Sequence, residues 1–554
     1  MLAHMVLRRF LQVSTIAVLF LSIVWSQNVY EKGTFVSIPA GKHVNHSFAG
    51  TWNVYFATED GVLVYNHHEN KWEDPITASD GLIQYPTLLV WQDELTRDVW
   101  IITPDYVFIY DHLTQWMTRQ NLPHAPEFSG MYSLGVNQSK LIVTSKREGE
   151  SLLYSAIFDK ISGHMETWGE NSELELNWDD IESIDPMSDE FSDLYSSLPV
   201  KQLIGGSFDA IGRIHFDGYP SKSASPVSTI SGVSQAGEVF LGSYGAGVFY
   251  QDIRGGDFRG LPFGLLSPDV MCMETVGDEL IVGGRAGLST LNGFEVQYDE
   301  ALKATAYDYS FVSALDKSKA SLIIAGRGGV FMQSSSAPGW QRILTQKDLA
   351  SKRIYAVAGG NDGNIMIATE RNAYLYHESG LLLHTLFTDG LDWPVFDINY
   401  QDGFYYISSY YGLYIFDEAN MNFTTRVSSY GEVQSPHVAA AIDPVYESEL
   451  DGQILWATTN RGLIKIDLLL NKGEDYLAPH ESFRPRGLGV YENRVWVGTE
   501  IGLYSLNAKT LAWRHYSLED GLISNFVTDL GMNKNYIWLG TNLGLTRIKW
   551  RNLY

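Results

Sequence analysis

The chain has 554 residues, a formal net charge of −26 at pH 7, 51 glycines and one cysteine. Its hydrophobic fraction of 45% excludes a disordered chain and a multi-span membrane protein, and its acidity disfavours nucleic-acid binding. The single cysteine, Cys272, excludes an intrachain disulfide and any CxxC zinc or redox pair. The length predicts about two to four domains.

The N-terminus has the pattern of an export signal. Arg8 and Arg9 precede an uncharged run, and its apolar core, Val13 to Val24, is short for a membrane span. Val24 and Ser26 fit the −3 and −1 cleavage positions, so we predict a signal peptide at 1–26 and export to the periplasm, the cell surface or the medium. An uncleaved anchor helix is the alternative. No later run is long and apolar enough for a span, so no stable membrane span is expected after cleavage.

The rest of the chain repeats one short pattern. Its clearest copies are Val495 to Leu503, which reads VWVGTEIGL, and Ile537 to Leu545, which reads IWLGTNLGL. From residue 247 onward, the turn positions of successive copies are 40 to 50 residues apart. Earlier and weaker copies contain the turn residues Gly61, Asp105, Gly247, Gly287, Gly329, Asn372, Gly412 and Gly462.

Each repeat is typical of four short strands. A run of β-branched and aromatic residues predicts a strand, and Thr-x-x-Gly predicts a tight hairpin into the next strand. A third strand often carries Trp, as at Trp513, and a connector such as Asp520-Gly521-Leu522 leads to the following repeat. Four strands in about 40 residues predict a propeller blade, and sustained helical periodicity is absent, so the predicted fold class is all-β with tandem β-propellers.

The W-x-G-T-x-x-G-L hairpin followed by D-G-L resembles the two-component-regulator propeller repeat of exported bacterial proteins. The similarity covers most of residues 50–550 and is weakest between about 125 and 235. It implies a likeness to the periplasmic propellers of hybrid sensors and to PorZ-like surface components. Only nine residues, 546–554, follow the last hairpin. The resemblance therefore does not imply a kinase or a C-terminal sorting domain for this chain.

About twelve blades are too many for one ring, so two rings are expected. We predict a first propeller of five blades at 27–256 and a second of seven blades at 257–554, with six blades in each as the alternative. The last repeat lacks an outer strand, which Asp257–Leu261 is expected to supply, while Thr34–Ile38 closes the first ring on the repeat at Gly247. In the alternative arrangement, Thr34–Ile38 closes the last blade and makes one ring discontinuous.

An acidic segment interrupts the repeats. Residues 166–193 contain eleven Asp or Glu residues and no Lys or Arg. Closely spaced carboxylates suit calcium, but the D-x-D-x-D-G order of a calcium loop is missing. A solvated insertion is therefore favoured over a cation site.

Catalytic motifs are not found in the sequence. It has no GxSxG, HExxH, P-loop or GxGxxG between strand and helix, so we predict no catalytic residues, no metal site and no cofactor. Propeller enzymes can assemble a site from one residue per blade, so the lack of a motif does not exclude an enzymatic function.

Blade geometry indicates which face would bind a ligand. The Thr-x-x-Gly hairpins and the connectors into the innermost strands project from the same end of each blade. In the second ring these loops carry arginines and aromatic residues that we predict to bind an anionic group, a sugar or a peptide. The candidates are Arg285, Arg327, Arg371, Arg461, Tyr410, Tyr411 and Trp393. Pairing of the arginines with nearby acids such as Glu370 is the alternative.

The sequence thus favours an exported, non-enzymatic recognition or scaffold protein. The resemblance implies a carbohydrate, a peptide or a cell-envelope protein as the partner. An exported propeller lyase or hydrolase and a stand-alone sensor subunit of a two-component system are the alternatives.

Overall fold

The structure, a computed structural model, is that of an all-β protein built mainly from four-stranded antiparallel sheets. It describes residues 30–553, except 126–127, 129–130, 147–150, 184–201, 204–205, 209–212, 217–224, 234–237, 253–256, 277–278, 293–301, 306–310, 319–320, 335–339, 346, 350–352, 388–392, 436–443 and 492. The predicted signal peptide at 1–26 lies outside the described residues.

The first strand, β1 (Phe35–Pro39), precedes a group of four sheets. Sheet 1 contains β2 (Val44–Ala49), β3 (Asn53–Thr58), β4 (Gly61–Asn66) and β5 (Lys71–Trp72). Sheet 2 contains β6 (Leu89–Gln92), β7 (Val99–Ile102), β8 (Tyr106–Asp111) and β9 (Trp116–Asn121). Sheet 3 contains β10 (Met131–Val136), β11 (Lys140–Lys146), β12 (Leu153–Asp159), β13 (Met165–Glu170) and β14 (Glu182–Ser183). Sheet 4 contains β15 (Gln202–Leu203), β16 (Gly206–Phe208), β17 (Arg213–Phe216), β18 (Ser225–Val233), β19 (Glu238–Ser243), β20 (Gly247–Asp252) and β21 (Arg259–Leu261).

Seven further sheets follow. Sheet 5 contains β22 (Val270–Val276), β23 (Glu279–Gly284), β24 (Gly287–Asn292) and β25 (Leu302–Thr305); sheet 6 contains β26 (Val312–Ser318), β27 (Ser321–Gly326), β28 (Gly329–Ser334) and β29 (Gln341–Leu344). Sheet 7 contains β30 (Ile354–Gly359), β31 (Asn364–Thr369), β32 (Ala373–His377) and β33 (Leu382–Thr385); sheet 8 contains β34 (Val395–Gln401), β35 (Phe404–Ser409), β36 (Gly412–Asp417), β37 (Asn422–Val427) and β38 (Val433–Gln434). Sheet 9 contains β39 (Val445–Asp451), β40 (Ile454–Thr459), β41 (Gly462–Asp467) and β42 (Lys472–Leu477); sheet 10 contains β43 (Pro485–Tyr491), β44 (Arg494–Thr499), β45 (Gly502–Asn507) and β46 (Ala512–Tyr516). Sheet 11 contains β47 (Val527–Met532), β48 (Ile537–Thr541), β49 (Gly544–Ile548) and β1.

The repeated Thr-x-x-Gly pattern forms the hairpin between the second and third strands, as predicted. In sheet 10, Thr499 Oγ1 donates to the carbonyl of Gly502 at 2.7 Å and accepts from the backbone N–H of Ile501 at 3.2 Å. Gly502 has a φ of +123°, and a Cβ there would lie 2.3 Å from the carbonyl oxygen of Tyr516. The position therefore needs glycine both for its backbone conformation and for the close approach of the outer strand.

Sheets 5 to 11 form a closed ring. Each innermost strand contacts the innermost strand of the next sheet, and β47 of sheet 11 contacts β22 of sheet 5. Cys272 is buried in β22. The predicted total of about twelve blades stays a prediction, because sheet 4 borders several undescribed stretches.

The predicted closure of the rings is wrong, and the alternative is correct. β1 pairs with β49 in the register Phe35 to Ile548 and Pro39 to Gly544, so the N-terminal strand completes sheet 11. β21, which was expected to fill that place, pairs with β20 instead. A short local connection joins β20 to β21, so this pairing costs little loop entropy and leaves the edge of β49 to the N-terminal strand.

A continuous apolar cluster joins the two groups of sheets. Ile38 of sheet 11, Phe56 of sheet 1 and Met273 of sheet 5 are buried in this one cluster. The chain crosses between the groups at Ala40 and Gly41, whose backbone N–H groups donate to Asp60 Oδ2 at 2.7 and 3.0 Å. The crossing is thus fixed by a buried carboxylate as well as by apolar packing.

Two of the Asp-Gly-Leu connectors meet between the two groups of sheets. Each contains a short 3-10 helix, Ala78–Asp80 or Leu518–Asp520, closed by a glycine with positive φ. The two helices contact one another, and Ser37 Oγ donates to the carbonyl of Gly521 at 2.9 Å. These connectors therefore contribute to the contact between the two groups of sheets; the third, at 389–391, lies outside the described residues. The remaining 3-10 helices among the described residues are Trp178–Asp180 and Trp550–Leu553.

Candidate ligand-binding site

The same irregularity recurs in all seven innermost strands of the ring. After the first residue of each strand the pairing register shifts, as between Val312 and Ala314 and between Val395 and Asp397. A β-bulge leaves its extra residue outside the ladder and turns that side chain out of the sheet. The residues released in this way are Met271, Ser313, Tyr355, Phe396, Tyr446, Glu447, Arg486 and Thr528.

These residues surround a cavity of about 1500 Å³ at one end of the ring. We call this end the hairpin face, because it carries the hairpins between second and third strands and the connectors into the innermost strands. Hairpin residues such as Arg327, Glu500 and Asn542 complete the lining. All seven sheets contribute at least one residue, so the cavity exists only in the closed ring. Cavities of this size at a convergence of loops are typical ligand sites.

Five exposed arginines line the cavity: Arg285, Arg327, Arg353, Arg484 and Arg486. Arg285 Nε lies 2.8 Å from Asp269 Oδ2, and Arg486 Nη2 lies 2.6 Å from Glu500 Oε1. Glu447 is the remaining carboxylic acid of the lining, and its burial, together with nearby carboxylates, raises its pKa well above the usual value. Five guanidinium groups face three carboxylic acids, so the lining is positively charged even with all three acids ionised.

Aromatic side chains form the wall between these arginines. The rings of Tyr355 and Phe396 have centroids 6.2 Å apart, and those of Phe396 and Tyr446 are stacked at 5.4 Å. The three residues come from successive sheets 7, 8 and 9. Together they form an arc. In chain order, Arg353 precedes the first of these three residues and Arg484 follows the last. Such an arc offers planar surfaces to rings or apolar groups of a ligand.

Phe311 lies at the mouth of the cavity in an uncommon backbone conformation. Its φ is +61°, its side chain is 37% exposed, and the guanidinium of Arg327 lies 5.6 Å from its ring centroid. A bulky residue in the left-handed region is strained, and it is held there because its N–H donates to the carbonyl of Arg285 at 3.0 Å. Strain of this kind concentrates at functional sites.

Carboxylic acids occupy the innermost strands in and below the cavity lining. They are Glu274, Asp316, Asp397, Glu447, Glu449 and Asp529, on five of the seven strands. Burial, followed by repulsion from the other carboxylates, raises the pKa of both Glu274 and Glu449 to about 8. Among the described residues, no group of three or more His, Cys, Asp and Glu side chains is placed to hold a metal ion.

Three of these acids bridge neighbouring innermost strands. Asp529 Oδ2 accepts from the N–H of Met273 at 2.6 Å, and Asp316 Oδ2 accepts from the N–H of Gly359 at 2.8 Å. Asp397 Oδ2 accepts from the N–H of Ser448 at 2.9 Å. The inner edge of an innermost strand has no neighbouring strand to pair with. These carboxylates accept hydrogen bonds from some of its backbone N–H groups.

The seven residues predicted from the sequence fall into two groups. Arg285 and Arg327 line the cavity. The others, which we call the rim set, lie on loops of the hairpin face of sheets 7 to 9 and outside the cavity lining: Arg371, Trp393, Tyr410, Tyr411 and Arg461.

The rim set is held by local contacts. The ring of Trp393 stacks on that of Phe387 at 4.3 Å and lies 4.5 Å from that of Tyr411, whose ring meets that of Tyr410 edge-on at 5.3 Å. The N–H of Trp393 donates to the carbonyl of Arg371 at 2.7 Å. The guanidinium of Arg461 lies 4.2 Å from the ring centroid of Tyr430. Part of the aromatic surface is therefore used in packing, while Tyr410 stays 41% exposed.

Sequence reasoning missed the arginines that precede or begin innermost strands, namely Arg353, Arg484 and Arg486. The hairpin arginines share a recognisable repeat position, whereas these three are separated from the repeat motif by connectors of varying length. The Arg-Pro-Arg sequence at 484–486 was an available signal, because proline favours the beginning of a strand.

No family model and no curated protein matches the sequence. Among solved structures, PorZ of Porphyromonas gingivalis, described as an essential bacterial surface component of the type-IX secretion system, is similar with a TM-score of 0.60 and 13% identity. The alignment covers 93% of this chain and 87% of PorZ. This chain has a PorZ-like fold. The resemblance predicted from the repeats is thus confirmed at the level of the fold.

Two extracellular domains from B. thetaiotaomicron also align over most of the chain. One belongs to a proposed one-component system, with a TM-score of 0.43, 12% identity and coverage of 94% of this chain and 82% of that domain. The other belongs to a proposed hybrid two-component system, with a TM-score of 0.40, 14% identity and coverage of 92% and 81%. None of the described helices has the length and apolar composition of a membrane span.

Proposed function

We propose that this chain is an exported recognition protein that binds an anionic ligand, part of a glycan, a peptide or an envelope protein, in the cavity of the hairpin face. The observation that carries the proposal is the set of five exposed arginines around an aromatic wall in a protein of net charge −26. Arginine binds carboxylate, sulfate or phosphate in a planar, bidentate geometry, and the aromatic wall would take the neutral part of the ligand.

Export is part of the proposal. It rests on the charged, apolar and cleavage-site pattern of residues 1–26 and on the PorZ-like fold, since PorZ is described as a surface component. In such a compartment a binding protein meets glycans, peptides and other envelope proteins.

The rim set extends the proposed contact surface. Arg371, Tyr410 and Arg461 lie on the same face in three successive sheets, so a ligand larger than the cavity would reach them. We therefore treat the cavity as the primary anion site and the rim set as a second contact for long ligands.

The test is an array of anionic and neutral oligosaccharides together with acidic and neutral peptides. The full protein should bind anionic members in preference to their neutral counterparts, and binding should weaken with salt. An Arg353→Gln/Arg484→Gln variant should lose at least tenfold in affinity for them.

The matched control is an Arg371→Gln/Arg461→Gln variant, which removes the same charge from the rim set. It should retain binding of short ligands and weaken binding of long ones. Equal affinity of the Arg353/Arg484 variant and the wild type, with both proteins folded by circular dichroism, would refute the proposal. A pull-down from the native envelope then identifies the natural partner.

A further inference from the structure

The end of the ring opposite the cavity carries exposed leucines at the tips of its turns. We call it the turn face; it holds the turns between third and fourth strands. Leu469 and Leu470 in sheet 9 are 76% and 73% exposed, and Leu511 in sheet 10 is 63% exposed. Met421 occupies the corresponding turn in sheet 8 and is also exposed. Exposure of these apolar side chains to water at the tips of neighbouring sheets is unfavourable.

Local structure does not explain two of these residues. The position before the fourth strand is left-handed in several sheets, with φ of +53° at Asn70 and +50° at Asn471. Asparagine tolerates this conformation, whereas Leu511 and Met421 adopt it at +59° and +52° against their preference. Both residues are exposed, so neither core packing nor turn geometry favours them over asparagine.

The turn face is basic in sheets 10 and 11 and acidic at the tips of sheets 8 and 9. At the turn-face end of sheets 10 and 11, the exposed Lys509, Lys534 and Arg551 lie near one described acid, Glu31. Asp417 and Asp467, by contrast, accept backbone hydrogen bonds in the turns that carry Met421 and Leu470. Arg551 Nε donates to the carbonyl of Lys534 at 3.1 Å, and Asn552 Nδ2 donates to Glu31 Oε2 at 3.3 Å, which places these segments together. A basic surface in a chain of net charge −26 indicates a specific anionic partner.

The neighbouring group of sheets also presents exposed apolar residues near the N-terminal segment. Lys32 Nζ donates to Gln115 Oε1, so the turn between β8 and β9 lies beside the segment that precedes β1. That turn carries Leu113, and Trp116 follows it; both side chains are well exposed. Tryptophan is the residue most suited to the boundary between water and lipid.

We propose that the turn face docks on the surface of an anionic phospholipid bilayer and holds the hairpin face and its cavity away from the membrane. Separate apolar tips can enter a fluid lipid layer together, whereas a protein partner would need a matching pocket for each. Lysine and arginine beside the tips would meet lipid phosphates.

The net acidity of the protein does not oppose this docking at physiological salt. Charges are screened beyond about 8 Å at such ionic strength, so the lipid surface responds mainly to the nearest charges, which are basic at the tips of sheets 10 and 11. Binding should therefore be strongest at moderate salt and should require both the tips and the cations.

The test measures sedimentation of the chain from Gln27 onward, which retains every described residue, with phosphatidylcholine vesicles with and without 30 mol% (roughly a third) phosphatidylglycerol. The wild type should bind the anionic vesicles at least tenfold better than the neutral ones. Lys509→Gln/Lys534→Gln/Arg551→Gln should lose at least tenfold, and Leu470→Ser/Leu511→Asn should lose a comparable amount.

Variants of the hairpin face serve as controls. Arg327→Gln/Arg484→Gln removes positive charge from the opposite face and should leave vesicle binding unchanged, while it weakens ligand binding in the cavity. The turn-face variants should show the reverse, which separates failure of this proposal from failure of the proposed function.

A fluorescent probe gives a second readout. Cys272 is buried, so a Leu511→Cys variant can be labelled selectively with a polarity-sensitive dye. Its emission should shift to the blue on anionic vesicles, as expected for insertion at the interface. Absence of wild-type binding, equal binding of the turn-face variants, or equal loss in the hairpin-face control would overturn the proposal.

Discussion

The backbone N–H of Met273 donates a hydrogen bond of 2.6 Å to Oδ2 of Asp529 and thereby joins the first and last sheets of the seven-sheet ring. The second oxygen of this carboxylate accepts from the N–H of Leu530 at 2.7 Å. Asp529 thus satisfies two backbone donors at the point where the ring closes. Its burial raises its pKa to about 7, so the bridge requires a carboxyl group that is largely removed from water.

Replacement of Asp529 by alanine should destabilise the ring. An unpaired buried N–H costs about 1–3 kcal/mol, so we expect the free energy of unfolding in urea at pH 6 to fall by that amount. Asp529→Asn keeps one acceptor oxygen and should lose less. Glu474→Ala, at an exposed carboxylate of β42, is the control and should unfold like the wild type. A stable alanine variant would show that the bridge contributes nothing.

Stability should fall as the pH rises from about 5 to 8. Burial raises the pKa of Glu274 and Glu449 from 4.5 to about 8, so the folded state keeps protons that the unfolded chain has lost. Their contribution is complete below the unfolded pKa and is lost as the pH rises through the folded pKa. A Glu274→Gln/Glu449→Gln variant should show a flatter curve of unfolding free energy against pH, by up to about 1.4 kcal/mol per pH unit for each group.

The control for the pH experiment is Glu474→Gln, which changes an exposed carboxylate. Its curve should run parallel to that of the wild type. Parallel curves for the Glu274/Glu449 variant as well would contradict the assignment of the pH dependence to these two acids.

The N-terminal strand should stabilise both rings. Ile38 in β1 is fully buried in the cluster that also contains Phe56 and Met273. Ile38→Ala should therefore lower the free energy of unfolding by about 2–5 kcal/mol and lower the midpoint of both rings in calorimetry. Val36→Ala, on the half-buried side of the same strand, should cost less. A change confined to one ring would show that the shared cluster does not couple them.

The repeat hairpins could be predicted because their determinants are local. At Gly502 one residue type supplies both the positive φ and the space for the neighbouring strand, and Thr499 closes the same turn. Such determinants lie within a few residues of each other, so the sequence reveals them without knowledge of the rest of the fold.

The partner of the N-terminal strand could not be derived in the same way. Phe35–Pro39 pairs with Gly544–Ile548, about 500 residues later in the chain. The alternation of apolar residues in this strand suits any free sheet edge, so its pattern does not distinguish β49 from β20. The choice depends on which edge the local connection to β21 already occupies.

The sequence indicated the hairpin face, which carries the cavity, but only two of the residues that line this cavity. Hairpin residues Arg285 and Arg327 share a repeat position and line the cavity. Arg486, Tyr355 and Phe396 reach it because a bulge follows the first residue of each innermost strand. Bulges depend on strand pairing, and the repeat motif contains no mark of them.

Replacement of Leu511 by asparagine should stabilise the protein although it removes an apolar side chain. Leu511 is exposed with a φ of +59°, and asparagine occupies the same turn position in sheets 1 and 9. Relief of the left-handed strain should raise the free energy of unfolding by about 0.5–1 kcal/mol. Leu470→Asn, at a neighbouring exposed tip with ordinary backbone conformation, should have little effect. A destabilised Leu511→Asn variant would mean that this leucine packs in the fold, and that its exposure is not kept for a partner.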